Sequence, residues 1–376
     1  MNGQLSDFLQ VLKGNHLDGF IVTNPVNIFY LTGFRGISPQ ERESILIFPP
    51  PRLASGEAGP KATLITAKLY QAEAFKLRSK DLKIAIANER NKIFEIAQKL
   101  LKNAEKVGFE EHDLKYSEFR EFKKTLGKTK LVPCKNLIED LRVVKTADEH
   151  KKIERAQIIS QKAFFEIIKT LKIGQTETEI AEKLLKIIKS LGGQGLAFES
   201  IIASGPNSAK PHHVTGKGKV KKGEVLLFDF GAKYKDYCAD LSRTVLVGNV
   251  NDKIKNIYSL VEKAQREAIK KITHGIKSHK PHEHALNVFR KENLGDYFLH
   301  GLGHGIGLEV HEAPHLKPKH KYKETKDEIL QEGMVFSVEP GLYFPSWGGV
   351  RIEDLVTIKG GKAKVLGRLS EGLIEV

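Results

Sequence analysis

The segment FLHGLGHGIGLEVHEAP, Phe298–Pro314, holds three histidines and four glycines, with a glutamate directly after the last histidine. Histidine is the commonest metal ligand and the usual proton carrier near neutral pH. Glycine lets a backbone turn sharply and approach a ligand closely. The two together describe either a site where imidazoles are aimed at a bound group or a glycine-rich loop with solvated histidines.

Two further stretches concentrate acids in apolar company. VLLFDFGAKYKDYCADLSRTVLVG, Val225–Gly248, has two apolar runs around a polar middle and reads as a hairpin. A turn centred on Tyr234-Lys235 places Asp229 directly opposite Asp240, with Cβ atoms about 4.5–5.5 Å apart. Like charges at that distance repel, and a cation between them is the natural remedy. Tyr-Lys is not a favoured two-residue turn, so a longer loop that shifts the register stays open. Asp229 also interrupts LLFDF, and a buried carboxylate needs a partner. MVFSVEPGLYFPSWGGVRIEDLVTI, Met334–Ile358, shows two strand-like runs around a turn-rich middle. Glu339 ends the first run and Glu353 lies inside the second. Arg351, two residues before Glu353, shares its strand face. The alternative is a pair of surface hairpins with ordinary charges. Four carboxylates and one imidazole suit a pair of hard or borderline divalent ions. Bridging carboxylates hold such ions about 3.5–4 Å apart, an arrangement used for hydrolysis by a metal-bound hydroxide.

Elements must bring these stretches together. DGFIVT (Asp18–Thr23), SILIF (Ser44–Phe48), ATLIT (Ala62–Thr66), KIAIA (Lys83–Ala87) and KVGFE (Lys106–Glu110) read as strands. Helical patterns at Asn91–Lys102 and Lys115–Thr125 alternate with the later ones, which predicts an α/β domain. Pro49–Lys61 is a Pro/Gly-rich loop interrupting a hairpin. A boundary near Pro133–Leu141 separates domains at 1–133 and 142–376. After it, Thr146 with Glu149 and Thr176 with Glu179 are capping boxes that open helices. The first carries apolar residues from Ile153 to Leu171 at helical spacing, and the second stops at Gly192-Gly193. A further helix is predicted over Lys253–Ile272. HGIKSHKPHEH, His274–His284, holds four histidines at spacings that match no standard metal site and reads as a solvated loop between helices.

The chain has 376 residues, 40% apolar and 28% charged, as expected of a globular protein with two domains. No run approaches the eighteen or so apolar residues of a membrane span. Asp7, Lys13 and Asp18 break any secretory h-region, and two distant cysteines, Cys134 and Cys238, make no disulfide framework. These features favour the cytoplasm. The net charge of +15 raises a nucleic-acid partner. The lysines are spread along the chain without a long basic block, which argues against one.

FDFGAKYKDYCADLSRT, HGLGHGIGLEVHEAP and SVEPGLYFPSWGGVRIED closely resemble metallopeptidases of the pita-bread fold, peptidase family M24. The match is to the Xaa-Pro branch, aminopeptidase P and prolidase. AFESIIASGPNSAKPHH (Ala197–His213) and IEDLRVVKTADEHKKIERA (Ile138–Ala156) are also similar to that branch, and DGFIVTNPVNIFYLTGF looks like the start of a creatinase-type N-terminal domain. The resemblance implies an α+β architecture with a C-terminal pita-bread catalytic domain and a smaller α/β N-terminal domain. It implies a metal set in which Asp229 binds one ion, Asp240 and Glu353 bridge, and His304 and Glu339 bind the second. Glu339 would also help move the proton of the attacking water. His212, His300 and His311 match the family's substrate-side histidines, with His212 and His311 assisting proton transfer and His213 the fallback for His212. Arg351 matches the arginine beside the bridging glutamate, and Phe198 matches part of the substrate pocket. The implied chemistry is hydrolysis of the bond before proline, a tertiary amide without an N–H. The ligand types admit Mn²⁺, Co²⁺ or Zn²⁺, and a homodimer is implied.

Rival readings are methionine aminopeptidase, which shares the fold, and a non-catalytic binding or chaperone relative. The long N-terminal domain and GGVRIED argue against the first, and five filled ligand positions against the second. The chain departs from the family pattern at ITAKLYQAEA and in the insertion at Pro49–Lys61. Whether dipeptides or longer peptides are taken stays open.

Overall fold

The computed structural model describes residues 2–35, 42–50, 61–319, 328–367 and 372–376. The chain divides into two compact units, residues 1–141 and 142–376. None of the helices among the described residues is long and apolar enough to cross a membrane.

The first unit runs α1 (Asn2–Gly14), β1 (Gly19–Val22), α2 (Pro25–Thr32), β2 (Ser44–Phe48), β3 (Ala62–Ala67), α3 (Gln71–Phe75), β4 (Leu82–Ala87), α4 (Arg90–Leu101), β5 (Lys106–Glu110), α5 (Tyr116–Leu126) and β6 (Lys130–Cys134). Its strands form one sheet in the order β4-β3-β2-β1-β5-β6. β2 and β3 make the expected antiparallel hairpin, while residues 51–60 of its connection lie outside the described residues. β3–β4, β1–β5 and β5–β6 are parallel. Strands β1, β2 and most of β3 are buried along their length, which is why they read as continuous apolar runs. The sixth strand, β6, escaped the sequence reading. It is an edge strand, only partly buried, and carries Pro133, which an edge tolerates because no ladder bond is lost there.

The second unit begins as α6 (Glu139–Val143) ends. It continues through α7 (Ala147–Ile168), α8 (Glu177–Ser190), β7 (Gly195–Leu196), β8 (Ile201–Ser204), β9 (Val225–Phe230), β10 (Ala232–Tyr234), β11 (Tyr237–Cys238), β12 (Leu241–Leu246), α9 (Asp252–Lys271) and α10 (His279–Lys291). The C-terminal third is mostly strand: β13 (Gly303–Gly305), β14 (Glu312–Leu316), β15 (Val335–Val338), β16 (Gly341–Phe344), β17 (Gly348–Arg351), β18 (Asp354–Lys359), β19 (Lys362–Val365) and β20 (Ile374–Glu375). Both predicted capping boxes form, Thr146 with Glu149 and Thr176 with Glu179. α7 and α8 bury Phe164, Ile167, Leu184 and Ile188 against Leu226, Phe228 and Val245 of the sheet β20-β12-β9-β8. α9 and α10 bury Val261, Ala264, Ala268 and Phe289 against Phe336, Val338 and Val356 of the sheet β14-β13-β15-β18-β19. A helix pair on a sheet thus occurs twice. The architecture is α+β, a pita-bread unit preceded by a smaller α/β unit.

The histidine-rich stretch at His274–His284 is only in part the solvated loop expected: residues 274–278 lie on the connection from α9 to α10, with His274 exposed. α10 begins at His279, and His279 and His282 are buried. Pro281 sits in the first turn, where a missing N–H leaves no bond unmade. His282, Ala285 and Phe289 then recur at helical spacing on the buried stripe, with the His282 ring stacked 4.9 Å from Phe298.

Gly231 links β9 to β10, and a Cβ there would lie 1.7 Å from the Ala239 carbonyl oxygen. Gly231→Ala is expected to cost about 1–3 kcal/mol through this overlap. A lower urea midpoint at unchanged slope would show it, and an unchanged midpoint would contradict the close approach.

Candidate active site

The register of the first acidic hairpin differs from the expected one. Its turn is Lys235-Asp236, with φ of 46° and 71°, and Tyr234 pairs with Tyr237. A two-residue type I′ turn needs positive φ at both central positions. Aspartate tolerates that far better than tyrosine, which moves the turn one residue along. Ser242, not Asp240, therefore lies opposite Asp229. Asp240, two residues earlier, takes the diagonal position, and the two carboxylates still feel one another's charge.

The second acidic stretch is one hairpin broken in the middle. β15 pairs β18 with Val338 opposite Asp354, and β16 pairs β17 with Gly341 opposite Arg351. The break falls at Glu339-Pro340 and Ile352-Glu353, where proline has no N–H to continue the ladder. The same register on both sides of the break sets Glu339 across from Glu353. Their backbone N–H groups turn to other segments, Glu339 donating to the Leu302 carbonyl at 2.8 Å and Glu353 to the Ser242 carbonyl at 3.0 Å. The acidic hairpins and the histidine segment are stitched together at the two glutamates themselves.

Ligand atoms of Asp240, His304 and Glu353 lie within 4.8 Å of one another. His304 Nε2 is 3.4 Å from Glu339 Oε1 and 3.7 Å from Asp240 Oδ2. Its Nδ1 donates to the Gly305 carbonyl at 3.1 Å, so the Nε2 lone pair faces the carboxylates. Burial, then the neighbouring histidines, holds this ring neutral with a pKa pushed down to about 4. Asp240 Oδ1 and Glu353 Oε1 are buried without a hydrogen-bond partner. Burial first, then the charges of Glu353, Asp229 and Glu339, pushes the Asp240 carboxyl far above its ordinary range. Burial and the charges of Glu339 and Asp229 do the same to Glu353, and burial lifts Glu339 to about 8. Crowded buried carboxylates with orphaned oxygens need positive charge beside them. An oxygen-rich donor set with one imidazole fits divalent cations.

The glycines of the opening segment now have a physical role. A Cβ on Gly303 would lie 2.1 Å from the Ser337 carbonyl oxygen, and one on Gly305 would lie 2.0 Å from that of Ala313. Only glycine lets β13 sit this close to β14 and β15 on either side of His304.

Arg351 reaches the pocket as expected, but its charge partner is Asp229 rather than Glu353. Its Nη2 donates to Asp229 Oδ2 at 2.6 Å, its Nε to Ser242 Oγ at 2.9 Å and its Nη1 to Tyr343 Oη at 2.8 Å. Ser242 Oγ in turn donates to Glu353 Oε2 at 2.8 Å. The sequence reading missed Ser242 and Tyr343, whose small or aromatic side chains in strand-like runs look like ordinary sheet residues.

The three histidines expected on the substrate side, His212, His300 and His311, gather near this centre. The His311 ring lies 4.3 Å from that of His304, and His212 acts electrostatically on both His300 and His311. Both nitrogens of His300 are engaged, Nδ1 with the Gly301 carbonyl and Nε2 with Tyr343 Oη, each at 2.7 Å. Since Tyr343 Oη accepts from Arg351, it donates to His300. Burial first, then the Arg351 charge, lowers the His300 ring to about 3. A cavity of about 410 Å³ flanks this ring, with His282, Arg290, Leu299 and Lys317 among its walls. His213 points elsewhere, bonded through Nε2 to Glu177 at 2.8 Å. Phe198 is half-buried on the connection from β7 to β8. Glu312, the glutamate after His311, anchors its segment by accepting from Arg142 Nη2 at 2.5 Å and Lys145 Nζ at 2.8 Å. Its donors lie about 170 residues away in sequence, so nothing local announces the contact.

Residues 151–360 match the family model for metallopeptidase family M24, and residues 4–144 match the creatinase/prolidase N-terminal domain. The chain is 34% identical to the Xaa-Pro dipeptidase of Pyrococcus furiosus over 374 residues, all of both chains. Among solved structures it is similar to a Xaa-Pro dipeptidase from Bacillus anthracis, with a TM-score of 0.88 and 30% identity over 99% of each chain. It is also similar to an X-Pro aminopeptidase from Thermotoga maritima, with a TM-score of 0.85 and 31% identity over 99% of each chain. With its buried carboxylate-histidine cluster on the broken hairpin and the creatinase/prolidase domain ahead of it, this chain belongs to metallopeptidase family M24.

Proposed function

We propose that this protein hydrolyses the peptide bond that precedes proline, using two divalent metal ions held by Asp229, Asp240, His304, Glu339 and Glu353. The observation that carries the reading is the convergence of Asp240, His304 and Glu353 to within 4.8 Å, with two buried carboxylate oxygens left without partners. Similarity to Xaa-Pro peptidases along the whole chain supports the substrate class. Asp229, Asp240, His304, Glu339 and Glu353 are the residues that would hold the ions. When bound, such ions (Mn²⁺, Co²⁺ or Zn²⁺) would supply Lewis acidity and lower the pKa of water.

The chain's own groups do the rest. Glu339 takes the proton of the attacking water, and its buried carboxyl suits a proton carrier. His212 and His311 hold the scissile carbonyl oxygen and pass a proton to the proline nitrogen as it leaves. Like any amide nitrogen, that nitrogen must be protonated to depart as an amine. His300, neutral and bonded to Tyr343, shapes the substrate side. Arg351 holds Asp229 in position through the bond from its Nη2. A homodimer in the cytoplasm belongs to the same proposal.

Cleavage of a Xaa-Pro dipeptide and of a Xaa-Pro-Yaa tripeptide, side by side with Mn²⁺ or with EDTA, tests it. Metal-dependent proline release from the dipeptide alone identifies a dipeptidase, and cleavage of the first bond of the tripeptide identifies an aminopeptidase. No cleavage of either with metal bound would overturn the proposal in favour of another substrate or a binding role.

A further inference from the structure

PHH, Pro211–His213, places two adjacent histidines at the centre, yet the structure gives them different surroundings. His213 Nε2 is 2.8 Å from Glu177 Oε2, and the Glu177 side chain is wholly buried. The same carboxylate accepts from Ser204 N at 2.9 Å, Asn207 Nδ2 at 2.8 Å and Gly216 N at 3.0 Å. Every one of these donors belongs to the segment that carries His212. The first turn of α8 adds backbone bonds to it, Glu177 N to the Gly218 carbonyl at 2.9 Å and Thr178 N to the Gly216 carbonyl at 3.1 Å. Gly218 passes so close that a Cβ would meet Glu177 Oε1 at 2.4 Å. On the other side of His212, the Pro211 carbonyl accepts from Arg351 Nη1 at 3.4 Å. Burial alone would raise the Glu177 carboxyl, but these hydrogen bonds outweigh it and hold it below its usual range.

We infer that Glu177 and His213 form a latch that positions His212, so that His213 is a positioning residue and not a second substrate-side histidine. His212 is pinned on both flanks, by Arg351 through Pro211 and by Glu177 through His213. Its backbone direction is set before substrate arrives. A reacting group displaced by about 1 Å costs on the order of 100-fold in rate, so a loosened segment reads out in turnover rather than in metal binding.

The inference rests on the proposed peptidase activity, and the test separates the two. In the metal-loaded full chain, His213→Ala is expected to lower kcat on a Xaa-Pro dipeptide by about 10–100-fold, with metal content and KM little changed. His213→Gln restores an N–H donor to Glu177 and is expected to recover kcat to within about 3-fold. Glu177→Gln is the second variant and is read by hydrogen exchange, with the Ser204 and Gly216 amides expected to lose protection while α7 keeps it. Wild-type kcat in His213→Ala, equal impairment of the Ala and Gln variants, or unchanged exchange in Glu177→Gln would overturn the latch. If the wild-type protein cleaves no Xaa-Pro peptide, the activity is refuted, and the exchange result still decides the latch.

Discussion

Asp240→Asn in the metal-loaded protein is expected to lower kcat/KM on a Xaa-Pro dipeptide by about 10³-fold or more, while the chain still folds. Asp240 is 4% exposed, and its Oδ1 has no hydrogen-bond partner. On the proposed two-metal reading, asparagine would offer one neutral oxygen in place of a charged carboxylate with two. Losing several kcal/mol of transition-state stabilisation corresponds to that fold-change at about 1.4 kcal/mol per decade. Stability moves the other way once metal is stripped. The Asp240 carboxyl is opposed by burial and by Glu353, Asp229 and Glu339, so a neutral amide relieves repulsion in the metal-free protein. Thermal unfolding with and without EDTA reads both effects. Wild type gains about 2.7 kcal/mol at a metal concentration 100 times Kd, and the variant is expected to gain clearly less. Full activity with a normal metal-dependent rise in Tm would remove Asp240 from its bridging role.

The second large effect is expected at Arg351. Its guanidinium is 3% exposed and joins Asp229, Ser242 and Tyr343, residues from β9, β12 and β16. Arg351→Leu takes from Asp229, 15% exposed, its ion-pair partner, and removing one partner of a buried pair costs about 3–5 kcal/mol. Two hydroxyls lose a donor as well. Tyr343 is then free to turn from His300, which couples the stability loss to a loss of turnover. Arg351→Lys keeps the charge but supplies a point donor in place of a planar fork, so it is expected to recover only part of the loss. Urea unfolding of metal-free protein makes the comparison clean, because a bound cation would partly replace the missing charge at Asp229. An unchanged midpoint for Arg351→Leu would show that the network adds nothing to stability.

Much of this was legible in residue types and spacing. Strands buried on both faces announce themselves as apolar runs, and α7 and α8 by a Thr and a Glu three apart ahead of a periodic stripe. Acids inside LLFDF and RIEDLV point to buried partners, because a buried carboxylate needs one: Asp354 finds it in Arg243, and Asp229 in Arg351. Glycines alternating with histidines in HGLGHGIG mark a backbone that must pass close to its neighbours, as Gly303 and Gly305 do.

What stayed hidden depends on contacts between distant parts of the chain. The hairpin register turns on whether Lys235-Asp236 or Tyr234-Lys235 takes positive φ, and a shift of two residues exchanges Asp240 for Ser242 opposite Asp229. Arg351 lies two residues from Glu353 but pairs with Asp229, 122 residues away. PHH says nothing of which histidine is free, because Glu177 takes His213 from 36 residues off. His282 looks like part of a polar loop until α10 packs its stripe against Phe298. Amino-acid type and spacing determined which chemical groups this protein owns and which short elements carry them. Tertiary packing alone decided which group faces which, since a side chain's partner is chosen by long-range burial and register that no local pattern encodes.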